Sequence, residues 1–241
     1  MKTATVYCVF VLIACGVLAR AQEVTVTADV ALVNSGKKSK GRGAGNIVLW
    51  LTPAGSATLP GLPDPPGTKP LRLVQRNKSF EPHILVVPVG SSVEFPNRDP
   101  FFHNVFSLFD GKRFDLGLYE AGSTRNVVFD KPGISYIFCN IHSEMSAVVL
   151  AVSSPYYGIS DVRGRVAIPH VPPGRYTLRI WYEDTLPEKL NNLNREVTIS
   201  TDASSLGAMR LPATNLPQDH QNMYGHDYPP PLPDSPSYER H

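Results

Sequence analysis

Tyr136-Ile137-Phe138-Cys139-Asn140-Ile141-His142-Ser143-Glu144-Met145 is the stretch on which the reading of this chain turns. One apolar run, Ile134 to Phe138, leads into it, and another, Ala147 to Val152, follows it. Short apolar runs joined by so few residues read as two strands and the tight loop between them. In that loop Cys139, His142 and Met145 are spaced C-x2-H-x2-M, so a thiol, an imidazole and a thioether can be turned towards one point. Upstream, Phe102-His103-Asn104-Val105 sets a second imidazole between aromatic and β-branched neighbours on a different strand.

This donor set has a chemical meaning. Two imidazoles and a thiolate in a plane, with a weak axial thioether, lie between the soft ligation that Cu(I) prefers and the tetragonal ligation that Cu(II) prefers. His103, Cys139, His142 and Met145 are therefore the candidate ligands of one type 1 copper ion, which would keep Cys139 deprotonated. Cysteine usage points the same way. Cys8 and Cys15 fall in an N-terminal apolar segment, leaving Cys139 as a lone thiol that needs a reason to persist in an oxidising compartment. Singly, the four residues have ordinary explanations: a buried thiol, a core histidine, a surface histidine and a core methionine. Their conjunction at this spacing favours the metal.

Phe102 to Val105 together with Tyr136 to Met145 resembles the cupredoxins, and the short C-x2-H-x2-M loop is closer to amicyanin than to plastocyanin. The resemblance runs from about Phe80 to Val152 and includes Pro88-Val89-Gly90-Ser91-Ser92-Val93-Glu94-Phe95. It implies a Greek-key β-sandwich and a one-electron carrier. By the same analogy Asn104 braces the cysteine loop through hydrogen bonds. Gly164 to Tyr176, with its Pro172-Pro173-Gly174 turn, resembles the carboxypeptidase regulatory-like (transthyretin-like) β-sandwich. The combined layout is similar to methylamine-utilisation-type or plastocyanin-like exported proteins.

The remaining pattern is all-β. Met1 to Ala21 reads as a secretory signal peptide, with an apolar core from Val6 to Leu18 and an Ala19-Arg20-Ala21 cleavage site, which places the mature protein in the periplasm or otherwise outside the cell. A competing reading takes Leu12-Ile13-Ala14-Cys15 as a lipobox and Cys15 as a lipid anchor. Val24, Val26, Ala28, Val30 and Leu32 alternate with polar or small residues, so residues 22–52 form the first part of the regulatory-like sandwich. Six prolines and three glycines make residues 53–70 a linker. Residues 71–153, with many short apolar runs, form the copper domain, and residues 154–211 return to complete the flanking sandwich, because a few strands alone are marginal in water. Seven prolines and few aliphatics make residues 212–241 a disordered tail whose removal should leave the site untouched. His220, Met223, His226 and His241 are expected there as solvated side chains rather than ligands.

Other classes are disfavoured. Cleavage after Ala21 removes Lys2 and Arg20 and takes the formal charge from +2 to 0, so no basic surface supports nucleic-acid binding. No other segment approaches the length of a membrane span. A cysteine hydrolase lacks its signature, a c-type haem lacks C-x-x-C-H, and the H-x-H pairs of multicopper enzymes are missing. The expectation is an electron-transfer protein rather than an enzyme, working between redox partner proteins, with copper delivery or storage as the alternative. Phe101, Phe102, Phe106 and Phe109 are candidates for an apolar collar around the copper site.

Overall fold

The computed structural model describes residues 22–34, 43–55, 70–108, 110–213 and 220–228. The expected signal peptide, most of the linker, Phe109 and the end of the tail lie outside these residues.

The fold is all-β, with one short helix among the described residues. The chain begins with β1 (Val24–Asn34) and β2 (Val48–Pro53). The central segment contains β3 (Leu71–Arg72), β4 (Val74–Arg76), β5 (Ser79–Glu81), β6 (Ile84–Pro88), β7 (Ser92–Pro96) and β8 (His103–Ser107). It continues with β9 (Phe114–Tyr119), β10 (Thr124–Val128), β11 (Gly133–Cys139) and β12 (Ser146–Val152). After it come β13 (Tyr157–Ile159), β14 (Arg165–Val171), β15 (Gly174–Trp181), α1 (Pro187–Asn191), β16 (Arg195–Ile199) and β17 (Ser205–Ala213).

Strands from either side of the central segment share sheets. β1 lies between β14 and β17, and β2 lies between β13 and β15, with β16 on the far side of β15. The central segment forms a five-stranded sheet, β6-β12-β11-β8-β9, and a three-stranded sheet, β10-β7-β3. Between these two sheets lies a core that includes Val87, Phe95, Val105, Phe129, Ile137 and Val149, and both Cys139 and Met145 belong to it.

The five-stranded sheet is covered on both faces, which explains why β12 reads as an unbroken apolar run rather than an alternation. Ala147, Val149 and Ala151 face the central core, whereas Val148, Leu150 and Val152, with Ile84 and Val86 of β6, join the core of the flanking strands. At about 1.5–3 kcal/mol for each large aliphatic side chain buried, this second contact is worth on the order of 10 kcal/mol. That is comparable with the net stability of a whole domain, so the stabilities of the two units are tied together.

The expected tail is partly structured. Pro212 and Ala213 complete β17, and residues 220–228 pack on the outer face of the five-stranded sheet beside Phe138. The cause lies in the pleat. Val105 and Ile137 point into the core, so Phe106 and Phe138 point out of it, and the flanking sandwich does not extend over them. Phe106 is nevertheless 1% exposed. Aromatic side chains on that face need a cover, and the C-terminal segment contributes to it.

Candidate metal centre

The antiparallel β11–β12 pair brings Phe138 opposite Ser146, and residues 139–145 close it. Cys139 N–H donates to Met145 O at 3.3 Å, and Met145 N–H donates to His142 O at 3.1 Å, which folds the loop back on itself. On its other side β11 pairs with β8, with Cys139 opposite Val105. That register carries His103, at the start of β8, next to the loop.

His103 Nδ1 lies 3.7 Å and His142 Nδ1 3.6 Å from Cys139 Sγ. The three donor atoms all lie within 4.8 Å of one another. A metal with imidazole nitrogen at about 2.05 Å and thiolate sulfur at about 2.3 Å, 120° apart, would separate nitrogen from sulfur by roughly 3.8 Å. The spacing of the three donors thus fits a shared ion in a trigonal plane. Met145 is fully buried in the same core cluster, on the loop that supplies Cys139 and His142.

His103 and Cys139 are also fully buried, while His142 is only half-buried at the open end of the loop. Burial pushes the Cys139 thiol up, against the backbone N–H groups of Ile141, Asn104 and His142, which stabilise a thiolate. Both histidines are held below their ordinary value, chiefly by burial. A neutral imidazole is the form that binds a metal.

Asp99, which bonds the candidate ligand His103, is a residue that the sequence reading missed. Burial disfavours its charge, but hydrogen bonds from Lys78 N–H, the His103 ring and Asn77 N–H outweigh that and hold its carboxyl below the ordinary value. The two backbone donors sit in the β4–β5 turn, where Asn77 and Lys78 both have φ of 52°. The available signal was an acid four residues before a candidate ligand, in Asn97-Arg98-Asp99-Pro100.

Asn104 hydrogen-bonds the cysteine, but not with its side chain. Its side-chain amide donates to Asp115 Oδ1 at 2.7 Å across β8–β9, and its contact with the cysteine is through the backbone N–H. The reason is again the pleat: a residue between His103 and Val105 cannot also turn its side chain towards the site. The expected collar divides similarly. The Phe101 ring lies 5.2 Å from that of His103 and 5.5 Å from that of His142, and Phe102 is 52% exposed. Phe106 faces away from the site and packs against Phe138. His83 bonds Ser146 O and Glu183, and His170 bonds Glu23, both away from the cluster.

No protein-family model matches the chain, and no curated protein matches it. Among solved structures it is similar to the copper-containing nitrite reductase of Thermus scotoductus SA-01, at 26% identity over 35% of this chain and 22% of that one, with a TM-score of 0.33. It is also similar to a purple cupredoxin from Nitrosopumilus maritimus, at 22% identity over 34% of this chain and 99% of that one, with a TM-score of 0.32. A variant of amicyanin in its Cu(I) form is 19% identical over 34% of this chain and 82% of that one, with a TM-score of 0.33. These structural neighbours are cupredoxins or contain copper, and each likeness covers about a third of the chain. The chain spans about a fifth of the nitrite reductase.

Proposed function

We propose that this protein holds one type 1 copper ion and carries single electrons between redox partner proteins. The observation that carries the reading is the placement of both histidine Nδ1 atoms 3.6–3.7 Å from Cys139 Sγ. His103, Cys139 and His142 would form the trigonal plane, with Met145 as the weak axial donor; a thioether in the set selects copper over zinc. Bound copper would supply a one-electron Cu(II)/Cu(I) couple.

The residues around the site suit that couple. His103 is held by a strand and by Asp99, and the loop is held by the backbone hydrogen bonds from Cys139 N–H to Met145 O and from Met145 N–H to His142 O, so little protein has to move when the charge changes. Half-buried His142 offers its ring to a partner, and exposed Ile141, next to it in the chain, and Phe102, next to the Phe101 that packs on its ring, would exclude water from the contact. Burial of His103, Cys139 and Met145 favours retention of the ion, hence a carrier over a delivery protein and over a catalyst with an open coordination position. Residues 1–21 support an exported protein. Among the described residues no helix is long and apolar enough to cross a membrane.

We read β1, β2 and β13–β17 as a carboxypeptidase regulatory-like sandwich that backs the copper domain. The shared sheets support this, as does the Pro172-Pro173-Gly174 turn, where Tyr176 O–H donates to Pro172 O at 2.7 Å.

Absorption and electron-spin-resonance spectra of the copper-loaded full chain test the proposal. One copper per chain and an intense thiolate-to-copper band are expected, and Cys139→Ser should abolish the band because a hydroxyl cannot supply the transition. An unchanged spectrum in that variant, or no copper bound by the parent, would overturn the copper site. Ready transfer of copper to an acceptor protein, with slow electron exchange, would replace the carrier by the delivery reading.

A further inference from the structure

Residues 220–228 meet the end of β11 and the start of the metal-centre loop at three separate points. Tyr228 O–H donates to Cys139 O at 2.6 Å, and Met223 N–H donates to Asn140 Oδ1 at 2.9 Å. The His220 ring stacks on Phe138 with centroids 4.2 Å apart and planes 29° apart, and it meets Tyr228 edge-on at 5.3 Å. One contact of this kind would be unremarkable. Here three consecutive residues, Phe138, Cys139 and Asn140, are each engaged by the same nine-residue segment, through a ring, a main-chain carbonyl and a side-chain amide.

The segment is shaped for the task by its own turn. Asn222 accepts from Tyr224 N–H and His226 N–H through its side chain, and its own N–H donates to His226 O. Gly225 has φ of 76°, a conformation that favours glycine, and its N–H closes the turn on Asn222 O. The turn spaces Met223 and Tyr228 so that both reach the loop.

We propose that residues 220–228 are a clasp that fixes the backbone of the Cys139–Met145 loop, with Tyr228 as its positioning residue. The inference rests on the copper reading for its effect on the metal, though not for the contacts themselves. Cys139 O belongs to the same residue whose sulfur lies near both histidines, so freeing it lets the Cys139 backbone rotate and loosens the sulfur's position. The same sequence reading that made this segment a solvated tail would have its removal do nothing.

The test uses the full chain with Tyr228→Phe, which keeps the ring and removes the hydroxyl, alongside His220→Ala, which removes the stack, and a truncation after Ala213. In metal-free protein the alkylation rate of Cys139 by a small thiol reagent reads loop opening without any metal. Tyr228→Phe should raise it roughly fivefold, the effect of losing one hydrogen bond, with the thermal midpoint lowered by no more than about 4 °C. Truncation should raise it further. In copper-loaded protein Tyr228→Phe should shift the thiolate-to-copper band and the reduction potential while one copper stays bound. Alkylation, spectrum and potential all equal to the parent's in both Tyr228→Phe and the truncation would overturn the clasp and leave the copper site standing. Faster alkylation in a chain that binds no copper would instead support the clasp and overturn the metal.

Discussion

His103 Nε2 lies 2.8 Å from Asp99 Oδ2, with the imidazole fully buried and the carboxylate 5% exposed. Since Asp99 is ionised, Nε2 carries the proton and donates, and Nδ1 is left as a lone pair facing Cys139. One buried acid thus selects the tautomer that a metal ligand needs.

Asp99→Asn should therefore keep the fold and weaken copper binding by about 10- to 100-fold, the usual loss when such an outer partner is removed. It should also raise the reduction potential, because a fixed negative charge next to the ligand favours Cu(II). Asp99→Ala should be worse for stability, by roughly 1–3 kcal/mol for the buried His103 Nε2–H left unpaired, besides losing the bonds from Asn77 N–H and Lys78 N–H. Copper titration, voltammetry and urea unfolding of the two variants separate these effects. Parental affinity and potential in Asp99→Asn would remove Asp99 from the site.

The candidate ligands were legible because they depend on local order: three lie on one loop, and short apolar runs flank it. Asp99 was not, because its role is created by a turn at Asn77 and Lys78 that reaches it from another part of the chain. Nor was the cover over Phe106 and Phe138. Strand alternation says that such residues face away from the ligands, but proline content made the segment that covers them look unable to fold. That argument considered only the segment's own apolar surface, whereas the surface it covers belongs to the strands.

The metal-free protein should lose stability as the pH falls. His103 and His142 are held below their ordinary values, chiefly by burial, so the unfolded chain takes up protons first, from about pH 6.5 downwards. Stability is then lost progressively until the folded histidines also titrate. Asp99 acts in the same direction at lower pH: its depressed value gives stability that is whole above the ordinary carboxylate range and lost as the pH falls through the folded value. Urea unfolding at pH 7.5, 5.5 and 4 should give a steadily falling midpoint, and a midpoint higher at pH 5.5 than at 7.5 would contradict the burial of these groups.

Ile141 and Phe102 are 48% and 52% exposed, the first the chain neighbour of half-buried His142 and the second that of Phe101, whose ring lies 5.5 Å from the His142 ring. Ile141→Glu and Phe102→Glu should leave the spectrum intact and slow electron self-exchange by about tenfold or more, because two copies meeting face to face would bring like charges together. Phe101→Glu is a different experiment, since Phe101 packs on both histidine rings and its loss should alter the spectrum itself. Stopped-flow exchange measured against ionic strength checks the first pair. Rates equal to the parent's would move the docking surface elsewhere.

Met145 separates the axial position from the plane. It is fully buried, so Met145→Leu, nearly equal in volume, should cost less than about 1.5 kcal/mol of stability. A thioether carries no charge and binds Cu(II) weakly, whereas His103, Cys139 and His142 supply the strong donors. Met145→Leu should then retain one copper and its colour while raising the reduction potential, because losing even a weak donor disfavours Cu(II) more than Cu(I). Met145→Gln should lower it, since an amide oxygen is a harder donor. His103→Ala and His142→Ala should instead open the plane to water and change the spectrum strongly. Voltammetry and absorption spectra of the four variants read both effects together. Loss of copper from Met145→Leu as complete as from Cys139→Ala, or a potential that does not move, would show that the thioether is core packing and that the fourth position belongs to another group.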